Sequence, residues 1–152
     1  MKVVLAGAFG NLGADILKCL CRDGHEVVAA DLKETAVEGC EGKYTFVKID
    51  ATNPETMKGM CDGADIVIST VGLTGASTKV TSYDIDHKGN LNIYEEAKRA
   101  GVKKFNYISV ISCDEKGAEE VPMLHAKYLV EEEIKKGDME YVIYRPTGYF
   151  YD

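Results

Sequence analysis

At 152 residues with 45% apolar side chains, the chain is long enough to build one domain, residues 1–152, around a sizeable core. A formal net charge of −7, with no basic patch interleaved with aromatics, excludes a nucleic-acid surface, and no apolar run approaches a membrane span. Met1-Lys2 leads directly into an apolar strand rather than a signal peptide, which points to the cytoplasm. The five cysteines, at 19, 21, 40, 61 and 113, include no Cys-x-x-Cys pair and meet no histidine at zinc spacing, so no metal site is expected and the thiols read as reduced.

The first element is the strand Val3-Val4-Leu5-Ala6, which runs into Gly7-Ala8-Phe9-Gly10-Asn11-Leu12-Gly13. Three glycines alone are a weak signal. Here an amphipathic segment with Leu12, Ile16 and Leu20 follows them, Gly24 sits where a helix would be capped, and Glu26-Val27-Val28-Ala29-Ala30-Asp31 reads as a second buried strand. In that setting the glycines form a dinucleotide-binding turn. The first permits the reversal, the second lets backbone approach a pyrophosphate, and the third brings helix and strand together, with the helix N-terminus aimed at the phosphates. Asp31, 18 residues after Gly13, would accept from the adenosine ribose hydroxyls and repel a 2′-phosphate, favouring NAD over NADP. Lys33 and Lys43 are near enough in sequence to neutralise such a phosphate, which tempers the preference.

A third strand is predicted at 44–49, followed by Asn53 capping a helix whose first residue is Pro54. A fourth strand at 65–70 leads through Val71-Gly72 into a polar loop reaching Thr81, and one long helix is predicted over 82–100, stopping at Gly101. A fifth strand at 104–110, a helix at 121–136 ending at Gly137, and a sixth strand at 140–145 broken by Pro146 complete the pattern. Strands alternating with helices predict an α/β fold, a Rossmann-type doubly wound parallel sheet in the order 3-2-1-4-5-6, with ligand outside the carboxyl ends of the strands. Glu131-Glu132-Glu133 before Lys135-Lys136 reads as a solvated helix face with intrahelical charge pairs. His87 and His125 read as helix-surface histidines, Tyr83 as packing near the cleft, and Cys113 as inert packing beyond the fifth strand.

Gly7-x-x-Gly10-x-x-Gly13, Asp50, Gly89-Asn90-Leu91-Asn92, Ala100-Gly101-Val102-Lys103-Lys104-Phe105, His125-Ala126-Lys127 and Tyr144-Arg145-Pro146-Thr147-Gly148 together resemble the short-chain dehydrogenase/reductase superfamily. The resemblance covers essentially the whole chain. It is closest to the atypical or extended branch, the NmrA-like NAD(P)-binding proteins and the NAD-dependent epimerase/dehydratase relatives. It implies that Gly7, Phe9, Gly10, Asn11, Leu12 and Gly13 line the pyrophosphate turn, Asp31 the adenosine ribose, and Asp50 with Ala51 the adenine edge. It further implies that Thr70, Val71 and Gly72 pass alongside the adenosine portion, and that Pro146, Thr147 and Gly148 contact the nicotinamide through backbone. Lys127 resembles the lysine that binds the nicotinamide ribose, and Ser109 lies where the fifth strand reaches the nicotinamide.

Two departures shape the functional expectation. The position four residues before Lys127, where the family carries its catalytic tyrosine, is Met123, which cannot donate a proton, and Tyr128 points around the helix. This leaves Lys127, with Ser109 assisting, as the candidate catalytic group. The chain also ends at Tyr149-Phe150-Tyr151-Asp152, where family members continue into substrate-binding structure, so the expected fold lacks the C-terminal substrate lobe. Two classes of function stay open: hydride transfer between NAD(H) and a small organic substrate, or a non-catalytic NAD(P)-binding, redox-sensing or regulatory module. The aromatic tail beside an uncovered cleft suggests a homo-oligomer.

Overall fold

A computed structural model of the protein describes residues 1–75 and 79–149. Six strands, β1 (Lys2–Ala6), β2 (Glu26–Asp31), β3 (Tyr44–Lys48), β4 (Ile66–Ser69), β5 (Lys104–Ile108) and β6 (Glu140–Tyr144), form one parallel sheet in the expected order β3-β2-β1-β4-β5-β6. The chain builds outward from β1 in both directions, so the carboxyl ends of β1 and β4 flank the crevice where such sheets bind ligands. Ladders close one or two residues earlier than the apolar runs imply. Backbone bonds nonetheless continue past them, from Ile49 N to Asp31 O at 2.9 Å and from Thr70 N to Ala6 O at 2.9 Å.

Alternation along the strands feeds two cores. Val4, Ala6, Val67, Phe105 and Tyr107 point to the face covered by α2 (Asn90–Arg99) and α3 (Pro122–Lys136), where they meet Ile93, Tyr94, Val130 and Ile134. Leu5, Val27 and Ala29 point to the opposite face and meet Leu17 and Cys21 of α1 (Asn11–Arg22). The buried stripe of α1 is Gly13, Leu17 and Cys21, and the expected Leu12, Ile16 and Leu20 flank it half-buried. Because α1 packs over β1 and β2, the same face of the sheet further along leaves Ile66, Ile68, Ile108 and Val142 half-buried and Tyr144 exposed.

The expected helix over 82–100 is two structures in series: a π-helical stretch, Tyr83–Gly89, running into α2. The side-chain amide of Asn90 donates to the carbonyl of Asp86 at 2.9 Å, taking the acceptor that an α-turn would give to the Asn90 backbone. Asn53 caps the 3-10 turn Pro54–Met57 by accepting from Glu55 N at 3.2 Å. Gly137 ends α3 where a Cβ would stand 2.2 Å from the buried Tyr94 hydroxyl. Among the described residues, no helix is long and apolar enough to cross a membrane.

Candidate functional site

The turn after β1 is built by steric exclusion. Gly7 has φ +79° and its N–H donates to Ala30 O at 2.9 Å, while a Cβ there would stand 2.5 Å from Thr70 Oγ1. A Cβ on Gly13 would stand 1.9 Å from Gly7 O, so α1 approaches β1 as closely as backbone allows. Gly10 differs, because a Cβ on it would meet nothing nearer than Gly7 O at 3.6 Å. Its surroundings are open, and among the described residues no side chain caps the N-terminus of α1. The first amides of α1 therefore face outward with the positive end of the helix dipole behind them, which fits a pyrophosphate.

Asp31, at the tip of β2, accepts from Phe9 N at 2.9 Å and from Leu32 N at 2.7 Å. It thereby ties the strand end to the middle of the glycine turn. The Phe9 ring meets the edges of Tyr44 and Phe46 at centroid distances of 5.7 and 5.8 Å, which fixes the side of the turn nearest β3. At the end of β3 the Asp50 carboxylate is engaged by Thr52, accepting from its N–H at 2.9 Å and its hydroxyl at 2.7 Å. These bonds hold Asp50 below its ordinary carboxylate range. The Ala51 carbonyl accepts from Asn92 at 2.9 Å, and Ala51 also packs where a Cβ on Gly89 would be 2.9 Å away, so α2 presses directly on this loop.

The segment after β4 lies across the crevice from the glycine turn. Thr70 Oγ1 donates toward Ala6 O and Gly7 O at 3.1 and 3.0 Å, and Val71 is held by the wholly buried Asn90, which donates to its carbonyl at 3.0 Å and accepts from Ser69 at 2.6 Å. Asp86, 1% exposed on the π-helical stretch, accepts from Leu73 N at 3.3 Å. Its Oδ1 lies 3.4 Å from Lys127 Nζ. Lys127 also donates to Ile108 O at 3.2 Å and lies over the Tyr107 ring. Burial raises the Asp86 carboxyl above its usual range, and burial lowers Lys127 below that of a free lysine, each against the opposing pull of the other's charge. Lys127 is thus not the solvated helix residue that its place on α3 permits. Gly72 backs onto this pair, because a Cβ there would stand 3.0 Å from Asp86 Oδ1 and 3.6 Å from Lys127 Nζ. Asp86 is a site residue that sequence spacing missed, since nothing in Tyr-Asp-Ile-Asp-His-Lys distinguishes a buried aspartate from its exposed neighbour Asp84.

One turn beyond Lys127 the reading of a solvated acidic run fails at Glu131, whose side chain is fully buried. Arg145 reaches it from the end of β6 with two parallel bonds, Nε to Oε1 at 3.0 Å and NH2 to Oε2 at 2.6 Å, and the same guanidinium donates to Asp114 at 2.7 Å. Glu132 and Glu133 do form the expected surface pairs with Lys135 and Lys136. Burial pushes the Glu131 carboxyl upward, but the bonds from Arg145, Ser109 and Cys113 outweigh it and hold the group below the usual range. Cys113, 2% exposed, donates to Glu131 Oε1 at 3.2 Å and contacts the Ser109 hydroxyl at 3.7 Å. Burial first, and then the neighbouring carboxylate, push its thiol up, and the side chain sits packed between Ser109 and Glu131.

Ser109 is 3% exposed, with its hydroxyl on the Glu131 side of α3 rather than in the open crevice. Beyond β6, Pro146 O accepts from Ile111 N at 3.0 Å, and Thr147 and Gly148 are exposed. Met123 is 37% exposed in the first turn of α3. His125 shares a 3.0 Å bond with the Tyr83 hydroxyl, so these two residues join α3 to the π-helical stretch. A cleft of about 420 Å³ lined by Thr52, Pro54, Asp84, Lys88, Leu91 and Asn92 opens along α2, away from the glycine turn. Among the described residues no cluster of metal-ligating side chains occurs. Phe150 and Tyr151 lie outside the described residues.

Fold and site together define a Rossmann-type dinucleotide-binding domain, and the chain belongs to the NAD(P)H-binding family, whose sequence profile matches residues 7–152. It is 28% identical to the photosystem II assembly factor Ycf39 of Synechocystis sp., over 98% of this chain and 45% of that protein. It is 27% identical to the uncharacterized sugar epimerase YhfK of Bacillus subtilis, over 97% of this chain and 72% of that one. The chain spans just under half the length of the photosystem II assembly factors that it matches. Among solved structures, its fold is that of short-chain dehydrogenase/reductase superfamily proteins. The NAD-bound member from Agrobacterium tumefaciens superposes with a TM-score of 0.81 at 18% identity, covering 95% of this chain and 48% of that one. The Bordetella bronchiseptica enzyme WbmG, in complex with NAD and UDP, gives 0.79 at 18% identity, covering 95% and 52%.

Proposed function

We propose that the chain binds NAD(H) in preference to NADP(H) and that, with methionine at 123, it serves as a dinucleotide-binding module rather than a tyrosine-dependent reductase. The observation that carries this reading is the Asp31 carboxylate, held at the tip of β2 by Phe9 N and Leu32 N. A negative charge fixed there accepts from ribose hydroxyls and repels a 2′-phosphate. Gly7, Gly10 and Gly13 would shape the pyrophosphate cradle, the amides of Phe9, Asn11 and Leu12 would line it, and Asp50 with Ala51 would meet the adenine edge, with Thr52 holding the Asp50 carboxylate in place through Oδ1. Thr70, Val71 and Gly72 would run along the adenosine portion, with Pro146, Thr147 and Gly148 near the nicotinamide. When bound, NAD(H) supplies a hydride acceptor or donor. Lys127 would exchange its bonds to Asp86 and Ile108 O for the nicotinamide ribose hydroxyls, and Ser109, engaged by Cys113, would hold the tip of β5. Relatives named as assembly factors favour a binding role.

Calorimetric titration tests this. The wild type should bind NAD at least tenfold more tightly than NADP, and Asp31→Ala should narrow the gap. Equal affinities in the wild type would refute the assignment.

A second reading, hydride transfer to a small organic substrate, is favoured by the placement of the Lys127 ammonium, largely withdrawn from solvent between Asp86 and the Ile108 carbonyl beside Gly72, where burial lowers it below a free lysine. A steady rate of NADH oxidation with simple carbonyls, abolished by Lys127→Met, would establish it. The partly covered sheet face with Ile108, Val142 and Tyr144, together with exposed Ile111 and Val121, supports self-association, and light scattering should show a dimer or larger.

A further inference from the structure

We infer that Glu131 and Arg145 form a positioning clamp that sets the nicotinamide half of the site and leaves the adenosine half alone. This deepens the dinucleotide reading and rests on it. One fully buried carboxylate gathers four segments: α3 through Glu131 itself, the end of β6 through Arg145, the loop after β5 through Cys113, and the tip of β5 through Ser109. Asp114 completes the grip on the guanidinium. Every one of these segments leads into the nicotinamide side. Lys127 stands one helical turn before Glu131 on α3, and Arg145 immediately precedes Pro146-Thr147-Gly148. Two backbone bonds, Ser109 N to Tyr144 O at 2.7 Å and Ile111 N to Pro146 O at 3.0 Å, carry the same registration into the loops. Among the described residues, the glycine turn and Asp31 share no side-chain bond with this cluster; they are held by Thr70, Ala30 and Phe9.

A buried carboxylate met by a half-buried guanidinium adds little net stability over apolar side chains of the same size, whereas two parallel bonds fix distance and angle. The clamp therefore contributes placement. It holds the exit of β6 at a set distance from Lys127, so that ribose and nicotinamide are met from both sides at once.

The test compares NAD with ADP, which lacks the nicotinamide and its ribose. In the wild type NAD should bind more tightly than ADP. Glu131→Gln should weaken NAD about tenfold and change ADP by less than twofold, and Arg145→Lys, which keeps the charge but loses the two-pronged geometry, should fall between. The double variant Glu131→Met/Arg145→Met leaves neither member of the pair buried without the other, so that it should remain folded, as a thermal melt would show, while still losing the NAD-over-ADP advantage. A double variant that keeps this advantage, or single variants that weaken ADP as much as NAD, would overturn the clamp while leaving dinucleotide binding intact. A wild type that binds NAD no better than ADP would also overturn it. Failure of the wild type to bind either nucleotide would overturn the dinucleotide reading itself.

Discussion

The two ends of the crevice are built by different means. At the glycine-turn end, the passage from β1 into α1 is shaped by what is missing: Gly7 and Gly13 sit where a Cβ would collide with Thr70 or with backbone, and one carboxylate, Asp31, bonds directly to the turn. At the α3 end, placement comes from side chains drawn from distant segments, with Asp86 against Lys127 and Glu131 against Arg145, all within or beside the packing of α3. The first end is chiefly steric, with a single carboxylate and, among the described residues, no ion pair at its centre. The second is long-range, ionic and sensitive to any change that leaves one partner of a buried pair alone.

The contrast predicts a hierarchy of effects, beginning with the tightest backbone contact. Gly13→Ala should destabilise the protein by about 3 kcal/mol, because the methyl must displace the Gly7 carbonyl rather than a flexible side chain, and chemical denaturation would read it. Gly10→Val should behave in the opposite way. With open space beside it, stability should change by about 1 kcal/mol or less, while NAD and ADP should both bind about tenfold more weakly because the side chain occupies the pyrophosphate's approach. If Gly13→Ala were mild and Gly10→Val disruptive, the division between packing glycine and ligand-facing glycine would be reversed.

The smallest effect belongs to pH. Glu131 is held below its unfolded value of 4.5, so its contribution is present above that value and is lost as pH falls through the lower folded one. Thermal unfolding followed between about pH 6 and pH 3 should therefore show a shallower acid loss in Glu131→Gln than in the wild type. Identical acid limbs would mean that the buried carboxylate carries no linkage.

The same division explains what was legible in the sequence. The strands, the Asn53 cap, the helix ends at Gly101 and Gly137 and the glycine turn were legible because each leaves a short-range pattern in the chain, even where distant residues such as Thr70 and Tyr94 complete the packing. Glu131 was misread because three consecutive glutamates beside two lysines have the periodicity of a solvated face. Its partner Arg145 lies 14 residues away on another element, and only packing brings the two together. Asp86 was missed for a similar reason, its burial being set by the π-helical stretch, which arises from the competition of Asn90 for a backbone carbonyl. Lys127 was picked out by its motif, but its engagement by Asp86 and Ile108 was not visible there.

The most direct measurement is an amide chemical-shift titration of the chain with ADP and then with NAD. ADP should move Phe9, Gly10, Asn11, Leu12 and Asp31, and NAD should move those and, in addition, Ser109, Ile111, Thr147 and Gly148. Shifts confined to the cleft around Thr52, Lys88 and Asn92, with the glycine turn unmoved, would contradict the account.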